Sequence, residues 1–282
     1  SVRCGMSELV YLENETLSVA VDPDHGGRIV RFTDRRFGFE HAWYDASRLP
    51  VNPALDYDGN FAGGFDELLP NDVPERGFPD HGELWTLPLN VRKDGMRIVL
   101  EGALPVCGLM YSRTMSLSGS TLISKYEITN PGERELAFLW KLHASLRIDP
   151  GDLVFAPAEC CQAPDPGDWS KFPDAMPRAW RNPYTVPEMN GSSDFLFLTG
   201  LSAGELSLQH TCGRSFRCQF DPEIFRCAWL FFSFGRLNAS RTAILEPCTN
   251  YPLSLDDAER GRVCAKLKPG QTIATAVRWT AD

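Results

Sequence analysis

Residues 121–129, Thr-Leu-Ile-Ser-Lys-Tyr-Glu-Ile-Thr, carry the clearest alternation of polar and apolar side chains in the chain, strict over its last five positions. A period of two belongs to a strand with one buried face and cannot form one stripe of a helix. Similar short segments rich in apolar and β-branched residues recur at 16–21, 28–32, 96–100, 111–117, 137–143, 195–198, 205–208, 215–220, 227–234, 242–246, 262–267 and 272–279. Turn residues stand between them: Asp22-Pro23-Asp24-His25-Gly26-Gly27 joins the first two as a hairpin, and Asn130-Pro131-Gly132 and Pro269-Gly270-Gln271 flank later ones. One helix is signalled, with Ser254 as N-cap, Asp256 and Asp257 in its first turn and Gly261 just beyond it. The chain therefore reads as all-β, an antiparallel sandwich or barrel with very little helix. Neither an internal repeat nor a linker between two cores is visible, so residues 1–282 read as a single domain. Residues 156–192, with seven prolines, read as loop.

The net charge of −9 and the lack of a Lys/Arg run exclude a general nucleic-acid or anionic-membrane surface. The longest apolar run, residues 227–234, is too short for a membrane helix. The first residues lack a charged-then-apolar leader pattern. Nine cysteines, an odd number without Cys-x-x-Cys spacing, indicate reduced thiols rather than a disulfide frame or a zinc site. The expectation is a cytoplasmic protein.

Residues 63–85 break the strand rhythm. Three prolines and four glycines punctuate them, and they look too polar for a buried strand. Yet they hold Asp66, Glu67, Asn71, Asp72, Arg76, Asp80, His81, Glu83, Phe65 and Trp85. A long loop this dense in ionisable and aromatic groups is either functional or a solvated surface connection. His81 sits beside Gly82, where another group can approach closely. His143 ends the segment 137–143. Glu246 follows Thr-Ala-Ile-Leu and is either an acid–base group at a pocket rim or an exposed strand end. His25, His41 and His210 read as structural.

Four motifs together, Gly63-Gly64-Phe65-Asp66-Glu67, Phe78-Pro79-Asp80-His81-Gly82-Glu83-Leu84-Trp85, Lys141-Leu142-His143 and Leu245-Glu246-Pro247-Cys248-Thr249, resemble the aldose 1-epimerase (galactose mutarotase-like) superfamily. The chain departs from the Asn-His-x-x-His-Gly motif of many mutarotases, having one histidine in Asp80-His81-Gly82. It resembles an atypical branch rather than galactose mutarotase itself. The resemblance implies a large antiparallel β-sandwich with a sugar cleft across one sheet, acting without cofactor or metal on a small-molecule sugar, as a monomer or homodimer. It also implies roles: Glu246 as general base, His143 as general acid, and His81 in support.

Further candidates follow from residue type. Asp66 and Glu67, or Asp194, could hold sugar hydroxyls. Trp85, Trp180 and Phe65 could stack on a sugar face, though large aromatics more often pack in cores or at rims. Arg28, Arg76 and Lys141 could bind an anionic group if they converge, and a convergent cluster would favour a lyase or epimerase of anionic sugars. A non-catalytic sugar-binding module is the third reading.

Overall fold

The alternating segments pair as antiparallel strands into two large sheets, described for residues 8–162 and 180–282 in a computed structural model. The first sheet has ten strands. In spatial order nine of them are Val10–Glu13, Leu17–Asp22, Arg28–Asp34, Phe65–Leu68, Lys141–Arg147, Arg241–Cys248, Cys227–Phe234, Ser193–Leu201 and Ala158–Gln162, and Phe39–Glu40 pairs beside Arg28–Asp34. The second sheet runs Tyr184–Thr185, Leu153–Phe155, Glu205–Gln209, Ser215–Gln219, Thr272–Ala281, Thr121–Thr129, Met110–Ser118, Arg97–Ala103 and Asn90–Asp94. A small two-stranded sheet joins Leu136–Phe138 to Ala265–Leu267.

The inner faces of the two sheets enclose the main apolar core. Phe65, Leu142, Ala144 and Leu245 of the first sheet meet Met115, Tyr126, Phe216 and Trp279 of the second. Each fully buried large apolar side chain there contributes roughly 1.5–3 kcal/mol. The outer face of the first sheet is also covered. Tyr57, Phe61, Leu68, Trp85, Phe231 and Ile244 form one apolar cluster on it, and Leu139, Phe197, Cys227, Trp229, Cys248 and Leu255 form another.

Four sequence expectations change. Residues 65–68 form a strand in the middle of the first sheet, with all four residues buried despite Asp66 and Glu67. Their charges are met by partners from other strands, so polarity did not exclude burial. The segment 137–143 splits at Leu139 and Trp140 into Leu136–Phe138 and Lys141–Arg147, which places His143 inside a strand and not at its end. Glu246 likewise lies within Arg241–Cys248 and is buried. The proline-rich region contributes the strands Ala158–Gln162 and Tyr184–Thr185, while the loop reading of residues 163–179 lies outside the described residues. The helix Leu255–Arg260 forms as expected, with the Ser254 hydroxyl accepting from the Asp257 N–H. A short helix, Tyr57–Asn60, was not anticipated. The eight described cysteines are free, and no helix among the described residues is long and apolar enough to cross a membrane.

Candidate active site

Strand register builds the site. His143 is the direct cross-strand partner of Asp66. On its other side, the register that pairs Lys141 with Cys248 and Ala144 with Leu245 brings Glu246 opposite His143. Glu246 in turn pairs with Trp229. Asp66, His143, Glu246 and Trp229 thus form one transverse row on the outer face, because neighbours in register point to the same side of a sheet. Lys141, two residues before His143, shares that face.

Two glycines make the row possible. A Cβ on Gly64 would lie 2.7 Å from the Ile29 carbonyl oxygen, and Gly64 has a φ of +75°. Only glycine lets the Asp66 strand start flush against the Arg28 strand. Gly82, at φ +78°, would place a Cβ 2.3 Å from the Leu69 carbonyl oxygen. It packs the His81 loop directly onto the chain leaving the Asp66 strand.

His143 is held by its ring nitrogen Nδ1, 2.8 Å from Asp66 Oδ1. Asp66 is also paired with Arg28 at 3.3 Å and accepts the Tyr57 hydroxyl at 2.8 Å. Burial alone would raise the Asp66 carboxyl, but Arg28 and His143 outweigh it and hold it below the usual carboxylate range. An ionised carboxylate only accepts, so His143 Nδ1 carries a hydrogen toward it and Nε2 is left for other chemistry. Nε2 lies 4.0 Å from Glu246 Oε1. Both residues are buried, His143 at 5% exposure and Glu246 at 1%.

The other Glu246 oxygen, Oε2, is 2.9 Å from Lys141 Nζ, an ion pair without the alignment of a hydrogen bond. The same ammonium hydrogen-bonds Asp72 Oδ2 at 2.7 Å and sits 4.3 Å from the centre of the Trp229 ring. Burial would lower the Lys141 ammonium, but Asp72 and Glu246 overcome it and push it above the usual lysine value. Asp72 is held low: burial opposes ionisation, and Lys141 and His81 override it.

His81 stands at the rim, its side chain 22% exposed. Its backbone is left-handed, at φ +57°, and its N–H donates to the Asp72 carbonyl at 2.6 Å. The ring stacks on Tyr57, centres 4.2 Å apart and planes within 7°. Nδ1 lies 2.9 Å from Asp80 Oδ1, and Asp80 Oδ2 accepts the Tyr57 N–H. Burial would lower the imidazole, yet Asp72 and Asp80 raise it above its ordinary value. These two carboxylates are what favour its protonated form.

The structure brings together Glu246, His143, Asp66, Arg28 and Lys141, with His81 and Trp85 joined to them through Tyr57. The remaining candidates lie apart. Glu67 faces the inter-sheet core, where it accepts from Tyr111 and Trp140 and pairs with Arg113 at 3.2 Å. Arg76 is on the surface, paired with Asp256 and Glu259. Trp180 donates to the Ala156 carbonyl and packs on the main core. Asp194 pairs in register with the core residue Phe232 and accepts from Tyr184. Arg76 therefore does not join Arg28 and Lys141, and each of the three is paired with carboxylates of its own chain. Tyr57 and Trp229 belong to the site without having been singled out by sequence, and Asp72 was named only as one of the ionisable groups of residues 63–85. The run Asp56-Tyr57-Asp58-Gly59, an aromatic between two acids before a glycine, was the available signal for Tyr57. Among the described residues, no group of three or more His, Cys, Asp or Glu side chains is placed to hold a metal ion.

Similarity to solved structures agrees with this architecture. The chain superposes on the Slr1438 protein of Synechocystis with a TM-score of 0.79 at 17% identity, covering 100% of this chain and 98% of that one. It superposes on a galactose mutarotase-like protein of Lactobacillus casei with a TM-score of 0.73 at 12% identity, covering 98% and 100%. A galactose mutarotase related enzyme of Lactobacillus acidophilus matches at a TM-score of 0.71 and 13% identity, covering 98% and 97%. No protein-family model and no curated protein sequence matches the chain. At these identities the likeness defines the fold: a galactose mutarotase-like β-sandwich.

Proposed function

We propose that this chain, residues 1–282 acting as one catalytic domain, is an aldose 1-epimerase that interconverts the α and β anomers of a hexose or modified hexose in the cytoplasm. The observation that carries the reading is the row on neighbouring strands in which His143 Nε2 faces Glu246 Oε1 at 4.0 Å. The gap suits two oxygens bonded to one carbon, the hydroxyl and the ring oxygen of an anomeric centre. Glu246 takes the proton from the C1 hydroxyl while His143, its Nδ1 anchored on Asp66, delivers the Nε2 proton to the ring oxygen. The bond from C1 to the ring oxygen breaks as C1 becomes the aldehyde. Rotation about C1–C2 presents the other face, and the reverse proton transfers close the ring as the other anomer. His81 supports the charge that develops at the rim, and Trp85 and Tyr57 shape the apolar wall. Acid and base exchange protons only with the sugar, so the cycle is balanced without a cofactor.

Anomer exchange measured by NMR on a panel of neutral and anionic hexoses tests this. Acceleration of one sugar by the wild type, lost by roughly a thousandfold in Glu246→Gln, is the expected result. Sugar binding with no acceleration of any exchange would overturn the reading in favour of a binding module.

A further inference from the structure

We propose that Lys141 is a positioning residue for the Glu246 base, an inference that rests on the mutarotase reading for its catalytic consequence. The ammonium is shared between two carboxylates on different elements, Asp72 at 2.7 Å and Glu246 at 2.9 Å, and lies over the Trp229 ring. Its side chain is 2% exposed, so water does not screen these contacts. Glu246 is thereby pinned through Oε2, and Oε1 is the one oxygen turned toward His143 and the substrate. A carboxylate free to swing about its last torsion would present either oxygen, and misplacement by about 1 Å costs on the order of a hundredfold in rate.

The same ammonium is excluded from covalent chemistry. An open-chain aldose carries an aldehyde that a neutral amine attacks. Two carboxylates keep Lys141 protonated, without the lone pair such an attack requires. Asp72 has a second function in the arrangement. Its backbone carbonyl receives the His81 N–H and its carboxylate holds Lys141, so one residue ties the His81 loop to the strand that carries Lys141 and His143.

The test uses the full chain. Lys141→Met alone leaves two buried carboxylates facing each other and endangers folding. The double variant Lys141→Met with Asp72→Asn removes one charge of each sign. Folded, it is expected to lose about a hundredfold in kcat with KM changed by less than about threefold, the signature of a misaligned base. Unchanged kcat would overturn the proposal. A second measurement is independent of turnover: the Nζ ammonium signals of 15N-lysine-labelled protein. One exchange-protected signal is expected, absent in Lys141→Arg and displaced in Glu246→Gln. No protected signal, or one that Glu246→Gln leaves in place, overturns the assignment. If the wild type accelerates no sugar, the mutarotase reading fails, and the ammonium signal still decides whether Lys141 anchors Glu246.

Discussion

Asp66 and His143 are direct cross-strand partners on the outer face of the first sheet, and their side chains meet with Oδ1 2.8 Å from Nδ1. The carboxylate is itself fixed by Arg28 and by the Tyr57 hydroxyl. The imidazole therefore has a set orientation and a set position for its Nδ1 hydrogen before any substrate arrives.

Replacing Asp66 with Asn tests that relationship. The amide can present its NH2 group to Nδ1, which then accepts, so the ring no longer holds hydrogens on both nitrogens. The Nε2–H of a neutral ring is a far weaker acid than that of the imidazolium the proposed step uses. Anomer exchange is expected to fall by about a hundredfold. Arg28 also loses its buried counter-charge, so thermal unfolding should shift to lower temperature. Full exchange activity in a folded Asp66→Asn protein would contradict the anchoring role.

His81 makes a pH prediction. Its folded-state value lies above the ordinary 6.5, so its protonated form is the one the fold favours. The stabilisation is complete below the unfolded value of about 6.5 and is lost as pH rises through the raised folded value. His81→Asn tolerates the left-handed backbone, and because loss of the Tyr57 stacking does not vary with pH, the pH dependence of the difference reports the charge. The gap in unfolding temperature between wild type and variant should be largest at about pH 6 and shrink by about pH 9. A gap that stays constant across that range would refute it.

Glu67 gives the contrasting case. It is buried between the sheets with Arg113, on the face away from His143, and burial pushes its carboxyl up in spite of that arginine. Glu67→Gln should cost about 3 kcal/mol of stability by weakening a buried pair. Exchange per folded molecule should be unchanged. A variant of normal stability with weakened sugar binding would place Glu67 at the substrate after all.

The sheets were legible where one face of a strand is wet and the other dry. Residues 121–129 and 227–234 match observed strands end to end, the second by its apolar length alone. Residues 65–68 were not legible, because a strand carrying Asp66 and Glu67 is buried only if Arg28 meets one face and Arg113 the other. Those partners lie in other strands, and no local pattern announces them. The break after Phe138 was hidden for a different reason. Leu139 packs on the outer face and Trp140 in the inner core, so alternation runs straight through it. Hydrogen bonds from elsewhere set the break, with the Leu139 N–H donating to the Pro70 carbonyl and the Trp140 N–H to the Thr249 hydroxyl. Of the candidate site, residue type singled out Lys141, and the motifs of the resemblance singled out Glu246 and His143. Their convergence is a property of strand order, which a linear reading does not contain.

The acid–base row and its cover come from different kinds of structure. Asp66, His143 and Glu246 stand on three adjoining strands, whereas Tyr57, His81 and Trp85 come from a one-turn helix and the irregular chain around it. Strand positions are locked by ladders on both sides, while the covering segments touch the row's face at two polar points, through the Tyr57 hydroxyl on Asp66 and through Asp72 on Lys141. On the proposed reading, a lineage built on this plan can change the sugar it accepts and keep its proton chemistry as long as Tyr57 and Asp72 stay in place. Grafting residues 58–61 and 73–85 between such proteins, with Tyr57 and Asp72 kept, is the corresponding route to altering selectivity by design.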